Sequence, residues 1–326
     1  MIKKQKGFTL LEIFVALSIG LVLIGGVLSV FVGMKTTTRQ TSSIGELQEN
    51  GRFAVSILTD DLLRQNFWGD LNHKFSHDVS TNVPITPKNG DCIGGGQNNS
   101  SFPQDNGFSF RTLWSDRVNT ANILGGCINN AAPGSDVLQI KRVVAQVAPA
   151  VLNNNRYYLN AGYNEAALFP GDIAVVPTIA NGRIWEYQHH VYYIRNDRIG
   201  TTANFVPVLM QGRLQNAVTP MTFNLLVEGI ERVHYMFGVD TNGDGAVNGY
   251  MSPANMLEDY WDNISPVSIK SVKLYVLVRS IRQDLNYKND NVYRMGDTTF
   301  NANGDNFRRL LFSTTVFLTN GELSQW

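Results

Sequence analysis

The sequence predicts an α+β protein in which a long N-terminal helix packs on a head of mostly antiparallel β-sheet. No proline occurs before Pro84, and apolar side chains recur at helical spacing up to about residue 65. Beyond it, short runs rich in β-branched and aromatic residues alternate with Gly, Pro, Asn and Asp, which is typical of strands and turns. With 326 residues, 43% of them hydrophobic, the chain can bury a core, which excludes global disorder.

The overall composition excludes several classes of protein. The formal net charge is zero, with 27 basic and 27 acidic residues, whereas nucleic-acid-binding proteins usually carry a basic excess. No nucleic-acid-binding site is evident. Two cysteines exclude a disulfide-dense scaffold and a four-cysteine zinc site.

The first half of the predicted helix, residues 8–34, is apolar apart from Glu12. A helix of this length measures about 40 Å and crosses a hydrocarbon core of about 30 Å. Lysines before the run predict a cytoplasmic N-terminus, with the rest of the chain across the membrane. An ordinary secretory signal has a shorter apolar region. A plain signal anchor fits the length but leaves Glu12 unexplained, since a carboxylate inside a membrane segment is costly and marks function.

The start of this run resembles a class III signal. A short basic leader ends in Gly7, and the residues that follow are Phe8, Thr9, Leu10, Leu11 and Glu12. This order is typical of type IV pilins and of type II secretion pseudopilins. The resemblance implies that a prepilin peptidase removes the leader, residues 1–7, and methylates the new Phe8 amine. Glu12 would then pair with the Phe8 ammonium of a neighbouring subunit, because an unpaired carboxylate is costly in a low-dielectric bundle.

The second half of the predicted helix, residues 35–67, is amphipathic. Its apolar positions are Ile44, Leu47, Ala54, Val55, Leu58 and Leu62. Its charged positions are Glu46, Glu49, Arg52, Asp60 and Arg64. The adjacent pair Asp60 and Asp61 is expected to be solvated. Residues 68–326 are assigned to a globular head that the helix enters.

Segments at both ends of the chain resemble the PilW family of minor pilins. They are residues 47–64 with Phe67-Trp68-Gly69, and residues 227–245, 269–280 and 308–320. The resemblance implies a minor pilin that assembles through its N-terminal helix and primes or caps a type IV pilus in a tip complex. Such a pilus serves twitching motility, adhesion or DNA uptake. Asp70 stands where many relatives have a cysteine, so the family's disulfide pattern is not carried over.

The same resemblance implies partners and a location. The partners are other minor pilins, the major pilin, a PilY-type tip adhesin, the prepilin peptidase and the inner-membrane assembly platform. Before assembly the protein would cross the inner membrane once with a periplasmic head, and after assembly it would lie in the extracellular pilus. Two alternatives stay open: a J-type pseudopilin of a type II secretion system, and a signal-anchored extracytoplasmic binding domain. No enzyme motif is present, so we predict a protein that is not an enzyme.

The head is predicted to begin with long loops, because residues 70–135 are rich in Asn, Gly, Ser and Pro. The predicted strands are residues 108–113, 137–147, 156–159, 172–176, 183–195, 205–210, 229–239, 268–280 and 310–318.

Cys92 and Cys127 lie in the loop-rich region. In an exported head they would meet an oxidising compartment, which predicts a disulfide rather than two free thiols. A bridge closing a loop of about 36 residues would stabilise the head by about 3–4 kcal/mol.

Residues 240–248 follow the pattern of a calcium-binding loop. Oxygen-bearing side chains at loop positions 1, 3, 5 and 9 are Asp240, Asn242, Asp244 and Asn248. Gly245 permits the turn, and the Ala246 carbonyl could supply a further ligand. Met251 stands where such loops have a bidentate glutamate, so we expect weak binding, at about 10⁻⁴–10⁻³ M. The alternative is a polar β-turn, because Asn-Gly and Asp-Gly are also hairpin signals.

Overall fold

The computed structural model describes residues 7–72, 74–77, 89–198 and 205–322. The fold is α+β, as predicted. Its long helix, α1, spans Leu10–Leu63, and so begins two residues after the expected start at residue 8 and ends four residues before the expected end at residue 67. The chain divides between Glu46 and Leu47 into two compact units. The predicted boundaries at residues 34 and 67 stay predictions.

In the first unit, the apolar side chains of α1 are not covered by the residues that the structure describes. Every large apolar side chain from Phe8 to Met34 is exposed. Within the described residues, α1 is the one helix long and apolar enough to cross a membrane. A surface this apolar needs lipid or other helices to cover it.

In the second unit, the remainder of α1 packs on the head through one face. Its buried apolar residues are Leu47, Ala54, Leu58 and Leu62. A residue from the last part of the chain caps the C-terminal end of α1. The Asn320 side-chain amide donates hydrogen bonds to the carbonyls of Leu63 and Gln65. Unpaired carbonyls at a helix C-terminus need such donors.

Thirteen strands form the sheets of the described head. They are β1 Leu113–Arg117, β2 Asp136–Val147, β3 Tyr157–Ala161, β4 Ala166–Pro170, β5 Arg183–Arg198, β6 Phe205–Leu214, β7 Met221–Glu228, β8 Ile230–Asp240, β9 Gly249–Met251, β10 Ser268–Arg279, β11 Val292–Met295, β12 Thr298–Asn301 and β13 Arg309–Phe317. A four-residue helix, α2, spans Glu258–Trp261.

All strand pairs are antiparallel. A seven-stranded sheet has the order β1-β2-β5-β3-β4, and β5 also pairs with β6, which pairs with β7. The 16-residue β5 accommodates both neighbours because β3 pairs with its residues 183–187 and β6 with its residues 190–198. A second sheet has the order β13-β10-β8-β9, and β11 and β12 form a separate hairpin.

Several strand predictions were wrong. Residues 172–176 form turns and bends rather than a strand, and β4, β7, β9, β11 and β12 were missed. The first strand begins at Leu113 rather than near residue 108, because loop contacts take the earlier backbone groups. Asn98 receives the Arg111 N–H at its carbonyl, and its side chain donates to the Phe108 carbonyl. Local hydrogen bonds of this kind compete with strand pairing.

Candidate functional site

The first part of the candidate site is the segment at which the leader is expected to be cut. Gly7 and Phe8 are exposed and non-helical, ahead of the first residue of α1. The Phe8 side chain is 84% exposed. The leader residues 1–6 lie outside the described part of the chain. The expected cleavage point is therefore accessible and outside regular secondary structure.

The side chains of Glu12 and Thr9 cap the N-terminus of α1, because each accepts the backbone N–H of the other residue. Oε2 of Glu12 accepts hydrogen bonds from the Thr9 backbone N–H at 2.8 Å and from its hydroxyl at 2.9 Å. The Thr9 hydroxyl oxygen accepts the Glu12 N–H at 3.3 Å. This is a capping box, which satisfies two otherwise unpaired donors of the first turn. In the single chain, Glu12 therefore serves its own helix.

A buried carboxylate on the second half of α1 joins the helix to the seven-stranded sheet. Asp61 is 3% exposed. Its Oδ1 accepts the Arg142 Nε–H at 2.6 Å. Its Oδ2 lies 2.8 Å from Nδ1 of His190 and accepts the Tyr192 hydroxyl at 2.8 Å. Because the partners come from β2 and β5, one helix residue organises two central strands.

The electrostatics of this junction favour an ionised Asp61. Burial by itself raises the pKa of the carboxyl, because it disfavours the charged form. The charges of His190 and Arg142 and the hydrogen bonds of His190 and Tyr192 outweigh burial and hold the pKa of Asp61 well below its ordinary value. The expectation of a solvated Asp61 was therefore wrong. Asp60 is exposed as expected and pairs with Arg64 at 2.6 Å.

Cys92 and Cys127 form a disulfide, as predicted, with their Cα atoms 5.0 Å apart. Cys92 is fully buried. Its carbonyl accepts the Gln139 side-chain amide at 2.9 Å, which ties the bridge to β2. The Gln139 hydrogen bond thus anchors the Cys92 segment to the main sheet, and the disulfide joins that segment to Cys127.

In the loop after β8, residues 240–248, polar side chains accept hydrogen bonds from backbone N–H groups of the same loop. Oδ1 of Asp240 accepts the N–H groups of Asn242 and Gly243, and Oδ2 accepts that of Gly245. Burial opposes ionisation of Asp240, but these donors and Lys270 lower its pKa overall. The Lys270 ammonium lies 3.9 Å from Oδ2.

The other predicted calcium ligands are engaged in the same way. Asp244 accepts the Ala246 N–H and the Asn242 side-chain amide, and Oδ1 of Asn248 accepts the Thr241 N–H. This conformation is a hydrogen-bonded polar turn, and a cation would have to displace several of these bonds and approach beside Lys270. Within the described residues, no three His, Cys, Asp or Glu side chains are grouped as metal ligands. Calcium binding stays a prediction.

Comparison with known proteins gives two matches, in separate parts of the chain. The family model of type IV pilus-assembly protein W matches residues 191–320, and that of the prokaryotic N-terminal methylation motif matches residues 2–28. Neither a curated protein nor a solved structure matches the chain. These two matches support a PilW-type minor pilin.

The match places the PilW-type part of this minor pilin in the second half of its head. It begins within β5 and includes the whole four-stranded sheet and the 240–248 loop. Three of the segments on which the resemblance to PilW was based, 227–245, 269–280 and 308–320, lie inside it. Residues 47–64 lie outside both matches. Domains of these two families are structural rather than enzymatic.

Two features of this minor pilin were missed in the sequence. The capping box was readable, because Thr9 stands three residues before Glu12 ahead of an apolar run. The ligands of Asp61 had no local signal, since Arg142 and His190 lie far away in the chain and meet it through packing. The methylation motif was found because its pattern is short and specific, and the disulfide because two cysteines in an exported head are expected to pair.

Proposed function

We propose that this minor pilin primes or caps the pilus fibre in a tip complex. The observation that carries the proposal is that one chain combines an apolar helical segment with exposed large side chains, residues 8–34, and a large head with two main sheets. The helix surface needs other helices to cover it once it leaves the membrane. A head of about 260 residues is too bulky for dense repetition along a thin fibre, whereas a subunit at the tip has none above it.

The proposed maturation starts at the exposed N-terminal segment. The prepilin peptidase would cut between Gly7 and Phe8 and methylate the Phe8 amine. Both residues precede α1 in non-helical chain, so cleavage would leave the helix intact.

Glu12 would then change partners during assembly. In the single chain its carboxylate is held by Thr9. In a bundle it would meet the Phe8 ammonium of a neighbouring subunit, a charged partner in a medium of low dielectric. The neighbour's cation would therefore select the register in which two helices pack.

The proposed partners follow from that position. Other minor pilins and the major pilin would cover the apolar helix, and a PilY-type adhesin would contact the head. The assembly platform would take the protein from the inner membrane, where its head is periplasmic, into an extracellular pilus.

Two measurements test this proposal. N-terminal sequencing and intact mass of the membrane protein should give a chain that begins at methylated Phe8 only when the prepilin peptidase is present. A chain that begins at Met1 in both strains would contradict the maturation step.

Tip placement is tested by labelling. Val218 is 98% exposed between β6 and β7, so an epitope inserted there should leave the core intact. Antibody on sheared pili should mark fibre ends. Label distributed along the fibres would exclude a tip role.

A further inference from the structure

A lysine of the seven-stranded sheet is fully buried against an asparagine side chain. Lys141, on β2, is 0% exposed, and Asn99 is 2% exposed. Nζ of Lys141 donates to Oδ1 of Asn99 at 2.6 Å and to the Arg111 carbonyl at 2.8 Å. Because Oδ1 is bonded to Cγ at about 1.23 Å, Nζ lies at most about 3.8 Å from that carbon.

The surroundings favour the neutral amine of Lys141. Among the described residues no carboxylate lies within ion-pair distance of Nζ, and its polar partners are two carbonyl oxygens. The Phe110 ring centre is 4.8 Å away. Burial lowers the pKa of the Lys141 ammonium to about 7, against the opposing charge of Asp91. A neutral amine is a nucleophile, whereas an ammonium is not.

The loop that carries Asn99 is held in place on both sides. The Asn99 side-chain nitrogen donates to the Gly95 carbonyl at 3.0 Å. A side chain at Gly94 would collide with the Asn99 amide. The Asp91 carboxylate accepts both the N–H and the hydroxyl of Ser101, two residues beyond Asn99. Amine and carboxamide are therefore positioned against each other before any reaction, which is how proximity lowers a barrier.

We propose that Lys141 and Asn99 join in an intramolecular isopeptide bond. Nζ attacks Cγ of Asn99, and the Nζ–Cγ bond forms while the bond from Cγ to the side-chain nitrogen breaks. A proton from Nζ leaves on the departing nitrogen, so the products are a secondary amide and one molecule of ammonia. No oxidant, reductant or further reactant is needed.

The bond would replace a buried titratable amine by a neutral amide. It would also tie the segment between Cys92 and Arg111, which has no helix or strand, to a central strand. The disulfide ties the same segment to Cys127. A head that bears load on a fibre would gain a link that reduction does not break.

Peptide mapping of the purified full-length protein tests the proposal, because trypsin places the reactants on two peptides. Residues 89–111 contain Asn99 and Cys92, and residues 118–141 contain Lys141 and Cys127. The disulfide joins the same two peptides, so the digest is made after reduction and alkylation. We expect a linked species that survives reduction, is one ammonia lighter than the sum of its parts, and includes Arg142 because trypsin does not cut after an acylated lysine.

If the two peptides appear separately after reduction and alkylation, with no linked species, the proposal is overturned. This result is obtained on the wild-type protein and needs no variant. Variants then assign the atoms. Lys141→Arg and Asn99→Ala should each abolish the linked species. The matched control is Asn98→Ala, since Asn98 is equally buried but bonds the carbonyls of Gln104 and Phe108. A link that persists in Asn99→Ala, or is lost in a folded Asn98→Ala protein, would contradict the assignment to Asn99.

Discussion

Nε of Arg142, on β2, donates a 2.6 Å hydrogen bond to Oδ1 of Asp61, on α1, and both side chains are almost fully buried. His190 and Tyr192 engage the other oxygen. The polar contact of α1 with strands β2 and β5 thus depends on one carboxylate. Removing its charge leaves a buried guanidinium without its anion, and that is strongly destabilising.

Asp61→Asn should lower the free energy of unfolding by about 3–5 kcal/mol at neutral pH, because it breaks a buried charge pair from one side. The control is Asp60→Asn at the neighbouring, exposed position, where loss of the Arg64 pair should cost about 0.3–0.5 kcal/mol. Denaturant unfolding of both proteins measures the difference. Equal effects of the two substitutions would contradict the role given to Asp61.

The effect of Asp61→Asn should depend on pH. The folded-state pKa of Asp61 is lowered from its ordinary value of 3.8. Ionised Asp61 therefore contributes its full stability above about pH 4, and the contribution is lost as the pH falls toward the folded-state pKa. Unfolding curves of wild type and Asp61→Asn should converge in acid. If the difference in unfolding free energy between the two proteins grew as the pH fell, an ionised Asp61 could not be the source of the stability.

Glu12→Ala should leave head stability and leader removal unchanged but should lower incorporation into pili at least about tenfold. The reason is that a buried charge without its partner costs more than about 1.4 kcal/mol, the free energy of a tenfold change. The immunoblot ratio of sheared pili to membranes measures incorporation. Thr9→Val is the matched control, because it removes the capping hydroxyl and keeps the carboxylate. If Thr9→Val reduced incorporation as much, capping rather than pairing between subunits would explain Glu12.

Replacement of both Cys92 and Cys127 by Ala should lower the free energy of unfolding by about 3–4 kcal/mol, because the open chain regains the entropy of the closed loop. Protease should then cut within residues 89–131 well before the rest of the head. Limited proteolysis followed by mass spectrometry locates the cuts. Unchanged resistance in that segment would show that the disulfide does not stabilise it.

Calcium should stabilise the head only at high concentration if residues 240–248 bind it. At ten times a dissociation constant of about 10⁻³ M, the gain would be about 1.4 kcal/mol. Thermal unfolding with calcium, and with magnesium as the comparison ion, measures it. Asp244→Ala should abolish the shift and Asp290→Ala, at an exposed position outside the loop, should retain it. If calcium does not raise the unfolding temperature, residues 240–248 are a polar turn and not a calcium site.

The elements predicted correctly are those with a local signal. The bounds of α1 followed from spacing and from the absence of proline, and β2, β8 and β10 from β-branched content. The missed β4 is short and alanine-rich, and it exists because β3 pairs with it. Partner strands, rather than intrinsic preference, decide such elements.

The sequence by itself determined the apolar run that is long enough to cross a membrane, the methylation motif, the cysteine pair and the class of the fold. The run, the motif and the fold class depend on patterns among residues close in the chain, and the cysteine pair follows from there being two cysteines in an exported head. Only the tertiary structure decided which of Asp60 and Asp61 is buried, since adjacent helix residues point about 100° apart and the sheet covers one of them. It also brought Lys141 to Asn99 across 42 residues. Burial changes the chemistry of both charges, because a low dielectric makes an ionised group depend on the partners that packing supplies.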